Sequence, residues 1–235
     1  MNTDAEVVRI NKYLSRAGVC SRREADRLIE EKKVCINGSP AQKGDMVSPR
    51  DAVSVEGRIL SGQNMPHRVV LAYYKPVGIV CSMKNQGGNK NCIKDAIDYP
   101  ERVFPIGRLD KDSEGLLLLT NDGDYAEEVS RAGNNHEKEY IVTVREGVEE
   151  DFIEKMSQGV RIFFKDKSCY VTRRCFVQKI DRHSFSIVLT EGKNRQIRRM
   201  CESLCKNVTG LKRIRIMDIY LGNLKPGEYR LIEGK

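Results

Sequence analysis

The chain has 235 residues, 40% of them hydrophobic and 31% charged, which is enough apolar content for a core and rules out a disordered tail. At roughly 100–200 residues per domain, this length fits one large domain, or one small domain and one medium domain. The net charge is +8, and no stretch approaches the ~18–20 apolar residues of a membrane span, so a membrane-spanning protein is not expected.

Ile10, Tyr13, Leu14 and Ala17 recur at helical spacing over 9–17, and Gly18 stops that helix. Ser21 caps a second helix over about 22–32, which turns Ala25, Leu28 and Ile29 inward. Arg9, Lys12 and Arg16 share one face of the first helix, and Arg22, Arg23 and Arg27 lie on the second. Asn37-Gly38 is a hairpin turn signal. Residues 1–60 therefore read as a small α-plus-hairpin module with basic faces, 61–68 (SGQNMPHR) as a linker and 69–235 as a second domain. From residue 69 onward strands dominate: VVLAYYKP, GLLLLT, EYIVTV, SFSIVL and RIMDIYL. Helical patterns interrupt them near 124–132, 149–158 and 195–205. Strands and helices do not alternate regularly, so the expected class is α+β with a mainly antiparallel sheet.

Three segments carry chemistry-bearing residues. In FPIGRLDKDSEG, Asp110, Asp112 and Glu114 alternate ahead of Gly115. A calcium loop of the EF-hand kind would need a bidentate Glu where Asn121 stands, so that reading fails. A magnesium site or plain solvated acids remain. The second segment lies within residues 190–215, which hold 8 Lys/Arg against 2 Asp/Glu. Residues 61–189 balance at 19 against 19. Such a cluster is either the footprint of a polyanion or a solvated helix face. Ile197, Met200, Cys201, Leu204 and Cys205 form the apolar stripe of its helix. Arg195, Arg198 and Arg199 crowd the first turns, where the helix dipole disfavours cations. An anion should sit there: a phosphate, or a carboxylate such as Asp110. The third segment is HEKEY, which places Tyr140 at the start of a strand, where alone it reads as a packing residue.

The eight cysteines form no CxxC, the three histidines argue against a zinc site, and MNTDAEVVRINKYL lacks the basic-then-apolar order of a secretory leader. The expectation is a cytoplasmic protein with reduced thiols and no metal.

GRLDKDSEGLLLLTNDGD resembles the catalytic motif of the pseudouridine synthases, in the branch named after the small-subunit rRNA enzyme. HEKEYIVTV resembles the Tyr motif of that branch, and GKNRQIRRMCE with LKRIRIMDI its Arg/Leu motifs. RAGNNHEKEY, NRQIRRMCE and RIRIM are most similar to its large-subunit, 23S rRNA type F. The N-terminal module resembles the RNA-binding domain of ribosomal protein S-four. The likeness implies isomerisation of uridine to pseudouridine by base flipping, with no cofactor. It implies Asp110 as the essential carboxylate, Arg198 as its ion-pair partner and Tyr140 as the residue that packs on the base and takes the carbon-five proton. Arg108 would wedge into the RNA, and Ile214 and Ile216 would line the pocket beneath the base. Lys138, Asn194, Arg195, Gln196 and Arg199, with Arg9, Lys12, Arg16, Arg22 and Arg23, would contact RNA. Asp112 would be a loop acid outside the chemistry. The expected partner is 23S rRNA, with tRNA or another rRNA hairpin as the alternative, and the protein would be a monomer. Two other classes are a non-catalytic RNA-binding or ribosome factor, which would not need GRLD, Tyr140 and Arg198 together, and a helix-turn-helix DNA binder, which leaves those motifs unexplained.

Overall fold

The computed structural model describes residues 7–60, 67–83 and 91–234. The chain forms two compact units. The first runs to Val69 and includes Tyr99–Val103 and Asn121–Gly123. The second holds Val70–Asp98, Phe104–Thr120 and Asp124–Lys235. Most of the expected linker, residues 61–66, lies outside the described residues.

In the first unit the order is β1 (Val8–Arg9), α1 (Ile10–Arg16), α2 (Arg22–Glu30), β2 (Val34–Ile36), β3 (Ser39–Pro40), β4 (Met46–Val47), β5 (Val53–Val55) and β6 (Arg58–Leu60). Arg9 falls in β1, just ahead of the helix, because β1 pairs with β4. Ser21 caps α2 by accepting the Glu24 N–H at 3.2 Å. Asn37 and Gly38 take φ of 51° and 82°, the left-handed pair that a tight hairpin between β2 and β3 requires. Ile10, Leu14, Ala25, Ile29, Val34 and Val53 form one buried cluster.

The second unit continues with β7 (Val70–Lys75), α3 (Ile93–Ala96), β8 (Phe104–Ile106), β9 (Glu114–Thr120), α4 (Gly123–Ser130), β10 (Lys138–Val144), α5 (Glu150–Gln158), β11 (Arg161–Phe163), β12 (Cys169–Val171), β13 (Phe176–Lys179), β14 (Ser184–Leu189), α6 (Gln196–Ser203), β15 (Val208–Ile216), β16 (Ile219–Tyr220) and β17 (Tyr229–Leu231). The main sheet runs β13-β14-β10-β15-β9-β7-β17, with β16 on β15 and β8 on β9. All of these pairings are antiparallel except β15 with β9. The expected antiparallel sheet is therefore present, and one short parallel seam joins its two halves. The expected single strand RIMDIYL is a correction: β15 and β16 form a hairpin, with Met217 at φ 52° in the turn. Cys205 also departs from the expected stripe, because α6 stops at Ser203 and Cys205 is exposed.

Two cores flank this sheet. One gathers Val142, Phe152, Met156, Phe185, Ile187, Ile197, Met200 and Cys201, with Tyr140 packed on it. The other gathers Val70, Ala72, Leu116, Leu118, Tyr125 and Ile216. β7 and β9 face buried surroundings on both sides, which is why they read as unbroken apolar runs and not as alternating ones.

Candidate active site

The parallel seam builds the site. Its register sets Gly115 opposite Arg213, and Arg213 opposite Tyr140. On the far side Gly115 faces Lys75. Lys75, Gly115, Arg213 and Tyr140 therefore form one row across four strands. Gly115 takes φ +103°, and a Cβ there would lie 2.2 Å from the Arg213 carbonyl oxygen. Only glycine lets β9 approach β15 this closely. The approach sets the preceding loop, residues 107–113, beside the row.

That loop is tied down by buried groups. Lys75 is fully buried, and its ammonium donates to the Pro76 and Ile79 carbonyls at 2.8 Å each. Those bonds shape the turn whose Gly78 N–H donates to the Lys111 carbonyl at 2.8 Å. Burial pushes the Lys75 ammonium below its ordinary range, partly opposed by Cys81, Asp110, Asp112 and Glu114. The Leu109 N–H donates to the Cys81 sulfur at 3.3 Å.

The α6 arginines close the loop from the other side. Arg195 sits at the helix N-cap with φ 52°, a left-handed backbone that orients it toward the acids. It makes a two-point contact with Asp112 at 3.0 and 3.1 Å and reaches Asp110 at 3.5 Å. Arg198 donates to the Asp112 carbonyl at 2.9 Å, lies 3.4 Å from the Asp112 carboxylate and reaches Ser113 Oγ at 3.3 Å. Partial burial alone would raise the Asp112 carboxyl, but the Arg195 hydrogen bond and the charges of Arg198 and Arg195 hold it below its ordinary value. The dipole argument for an anion at this helix start is met, but by Asp112 chiefly. One expectation is corrected here: Arg198 pairs with Asp112, not Asp110, which makes Asp112 the hub of the ion-pair cluster. The reason is reach: the N-cap residue projects toward both acids, whereas Arg198 lies nearly one turn further along the helix.

Glu114 accepts the Tyr74 hydroxyl at 3.0 Å, so the three alternating acids do not converge. Among the described residues no group of three His, Cys, Asp or Glu side chains is placed to hold a metal.

The other expected residues divide. Tyr140 is half-buried in the row, and Lys138 lies two residues before it on β10, donating to the His136 carbonyl at 3.0 Å. Burial and the Arg213 charge push the Lys138 ammonium down. Arg108 is exposed at the loop's start. Gln196 is a correction: it is buried, donates to Glu191 at 2.8 Å and accepts the Lys193 N–H at 2.9 Å, closing the loop before α6. Asn194 is exposed, and its backbone and side-chain oxygens accept from Arg199 at 3.0 and 3.3 Å. Arg199 turns from the acidic loop to the Phe163 carbonyl and the Phe164 ring. Ile216 is also corrected: it belongs to the core of Leu116 and Tyr125, not to the one that Tyr140 packs on, while Ile214 is half-buried. In the first unit Arg9, Arg22 and Arg23 are exposed, Lys12 and Arg16 half-buried, and Arg27 pairs with Glu24 and Glu31.

Sequence reasoning missed Lys75 and Arg213. Arg213 is 3% exposed; its Nε donates to the Leu116 carbonyl at 2.7 Å, and its buried Nη2 has no hydrogen-bond partner among the described residues. A guanidinium held out of water with an open donor is costly unless a ligand completes it. For Lys75 the available signal was a lysine ending an apolar run directly before Pro76.

The chain matches the RNA pseudouridylate synthase family over residues 69–203 and the S4 domain family over 8–53. It is 48% identical to the dual-specificity RNA pseudouridine synthase RluF of Escherichia coli K12, over 95% of this chain and 74% of that one. An uncharacterized RNA pseudouridine synthase of Rickettsia prowazekii is 38% identical over 97% of this chain and 95% of its own. A solved pseudouridylate synthase structure superposes with a TM-score of 0.67 at 29% identity, covering 96% of both chains. With the GRLD loop, the Tyr140 strand and the α6 arginines gathered at one seam of an antiparallel sheet, this chain belongs to the RNA pseudouridylate synthase family.

Proposed function

We propose that this pseudouridine synthase isomerises one uridine of 23S rRNA. It acts in the cytoplasm as a monomer without a cofactor, using residues 1–60 for RNA binding, 61–68 as linker and 69–235 for catalysis. The observation that carries the reading is the convergence of the Asp110–Ser113 loop with α6 beside the row of Arg213 and Tyr140. The target base is flipped out of its stack, at a cost of a few kcal/mol that phosphate contacts offset. Asp110, held within 3.5 Å of Arg195, attacks the sugar or takes a proton from it, so that the bond to the base breaks. The uracil keeps the electron pair, rotates and rejoins the sugar through carbon five. Asp110 is released from the sugar or returns the proton it took, the carbon-five proton leaves and the freed ring nitrogen takes one up, so no atom is gained or lost. Tyr140 lies against the base and relays the carbon-five proton, its hydroxyl giving one up as it takes that one, and the open donor of Arg213 stabilises charge on the detached uracil. Arg108 and the cations of the first unit hold the RNA.

Mapping pseudouridines in total RNA from cells with and without the gene tests this. One 23S position should lose its modification and regain it with the wild-type chain but not with Asp110→Asn. Loss from small-subunit rRNA alone would overturn the assignment. A second reading, favoured by the dual specificity in the relative's name, adds a tRNA hairpin, and the same map would show it.

A further inference from the structure

Much of the basic segment 190–215 is neutralised within the protein. Arg195 and Arg198 hold Asp112, Lys206 holds Glu149 at 2.6 Å, and Arg215 holds Glu139 and Glu137 at 2.8 and 3.0 Å. Cations for RNA must come from elsewhere as well. A cleft of about 820 Å³ lies between α5, α6 and the β11–β12 ribbon, and Lys155, Arg161, Lys165 and Arg199 line it against a single acid, Glu202. Lys155 is engaged by Asp151 at 2.7 Å and Arg199 by the Phe163 carbonyl. Arg161 and Lys165 are exposed and make no side-chain ion pair or hydrogen bond among the described residues. Phe163 stands 58% exposed at the same cleft. It is two residues from Arg161 on β11, so both project from one face of the ribbon. Val171, paired with Arg161 across the ribbon, is 56% exposed.

An exposed aromatic ring between two unpaired cations is ill suited to solvent and suited to single-stranded nucleic acid, whose bases stack on rings while its phosphates meet cations. Successive residues on α6 are about 100° apart. Arg198 therefore serves the Asp112 loop while Arg199 serves this cleft. We propose that the cleft lined by Arg161, Phe163 and Lys165 is an accessory site for single-stranded RNA flanking the target uridine, with one base stacked on Phe163 and two phosphates held by Arg161 and Lys165. This rests on the reading of the protein as an RNA-modifying enzyme and adds a second contact region to it.

The test uses the full chain and two substrates, a minimal hairpin carrying the target uridine and the same hairpin with single-stranded flanks. Phe163→Ala and Arg161→Glu/Lys165→Glu should raise KM on the flanked RNA about tenfold, leaving kcat and the minimal hairpin unchanged. The double charge variant should also lower the slope of log affinity against log salt by about 1.4 for two lost single-strand phosphate contacts. Phe163→Trp should restore the KM and Phe163→Leu should not, because a leucine keeps the apolar contact but offers no ring. Equal KM values in all variants would overturn the accessory site, as would rescue by leucine, which would point to a protein on this surface. Failure of the wild-type chain to modify either RNA would instead overturn the functional reading.

Discussion

At the residue scale, two acids two positions apart have different work. Asp112 takes both Arg195 nitrogens and lies against Arg198, whereas Asp110 pairs, among the described residues, with Arg195 at 3.5 Å. The Arg195 and Asp112 side chains are 41% and 49% exposed, so their pairing contributes at most ~1 kcal/mol to stability. Its value is positional, since it holds the loop that carries Asp110. Asp110→Asn should abolish turnover while RNA affinity stays within a few-fold, because asparagine keeps the shape but cannot supply a carboxylate. Tritium release from carbon-five-labelled uridine RNA, beside filter binding, measures both. Asp112→Asn should not be silent. Misplacement by about 1 Å costs roughly 10²-fold, so its single-turnover rate should fall about 10- to 100-fold. Arg195→Ala should fall similarly, and the double variant by less than the product. Additive losses in that cycle would show that the clamp does not act as a unit.

At the element scale, the seam between β9 and β15 is the critical joint. A methyl group at Gly115 meets the Arg213 main chain at 2.2, 2.7 and 3.0 Å, where nothing flexible can yield. Gly115→Ala should therefore destabilise the fold by about 2–6 kcal/mol, combining strain at positive φ with overpacking. Denaturant melts should show this, with activity lost at temperatures where the wild type is folded. A second joint precedes β15. Glu146 accepts the Asn207 N–H at 2.7 Å and the Asn207 side-chain amide at 2.6 Å. The backbone bond first, and then the side-chain bond, lower its carboxyl from 4.5 to about 2. A depressed carboxyl stabilises the fold above its unfolded value and loses that contribution as pH falls through the folded value. Between pH 4.5 and 2 the wild type should lose melting temperature more steeply than Glu146→Gln. Identical acid limbs would show that this bond carries no linkage.

At the scale of the whole molecule, two units with separate cores predict separable folding. Removing residues 1–60 should leave a cooperative melting transition while RNA affinity falls more than the single-turnover rate of bound RNA. Tyr99–Val103 and Asn121–Gly123 cluster with the first unit, so some stability should be lost, read as a lower midpoint. An unfolded remainder would show that the two units are one folding unit. Among the described residues no helix is long and apolar enough to cross a membrane.

Local patterns were enough to read the elements that are periodic or strongly punctuated: α1, α2, the Asn37-Gly38 hairpin, β7, β9, β10, β14, α5 and α6. Each depends on neighbours within a few residues, where spacing, caps and turn residues act directly. The short strands β11 to β13 and β17 were not legible, because pieces of three or four residues gain their order from the partners they pair with. The motif residues named the reaction through resemblance, and the loop, strand and helix that carry them do converge. What the chain order could not decide was which arginine meets which acid. That depends on a left-handed N-cap at Arg195, a glycine-only seam at Gly115 and a bulged register that sets Arg213 beside Tyr140. The partners lie 83 positions apart for Arg195 and Asp112, and 97 for Arg213 and Leu116. Charge counting saw a basic run and left it open between a polyanion footprint and a solvated helix face. Tertiary packing showed much of that run to be internal ties, because a cation brought beside a carboxylate by the fold is neutralised before any ligand arrives.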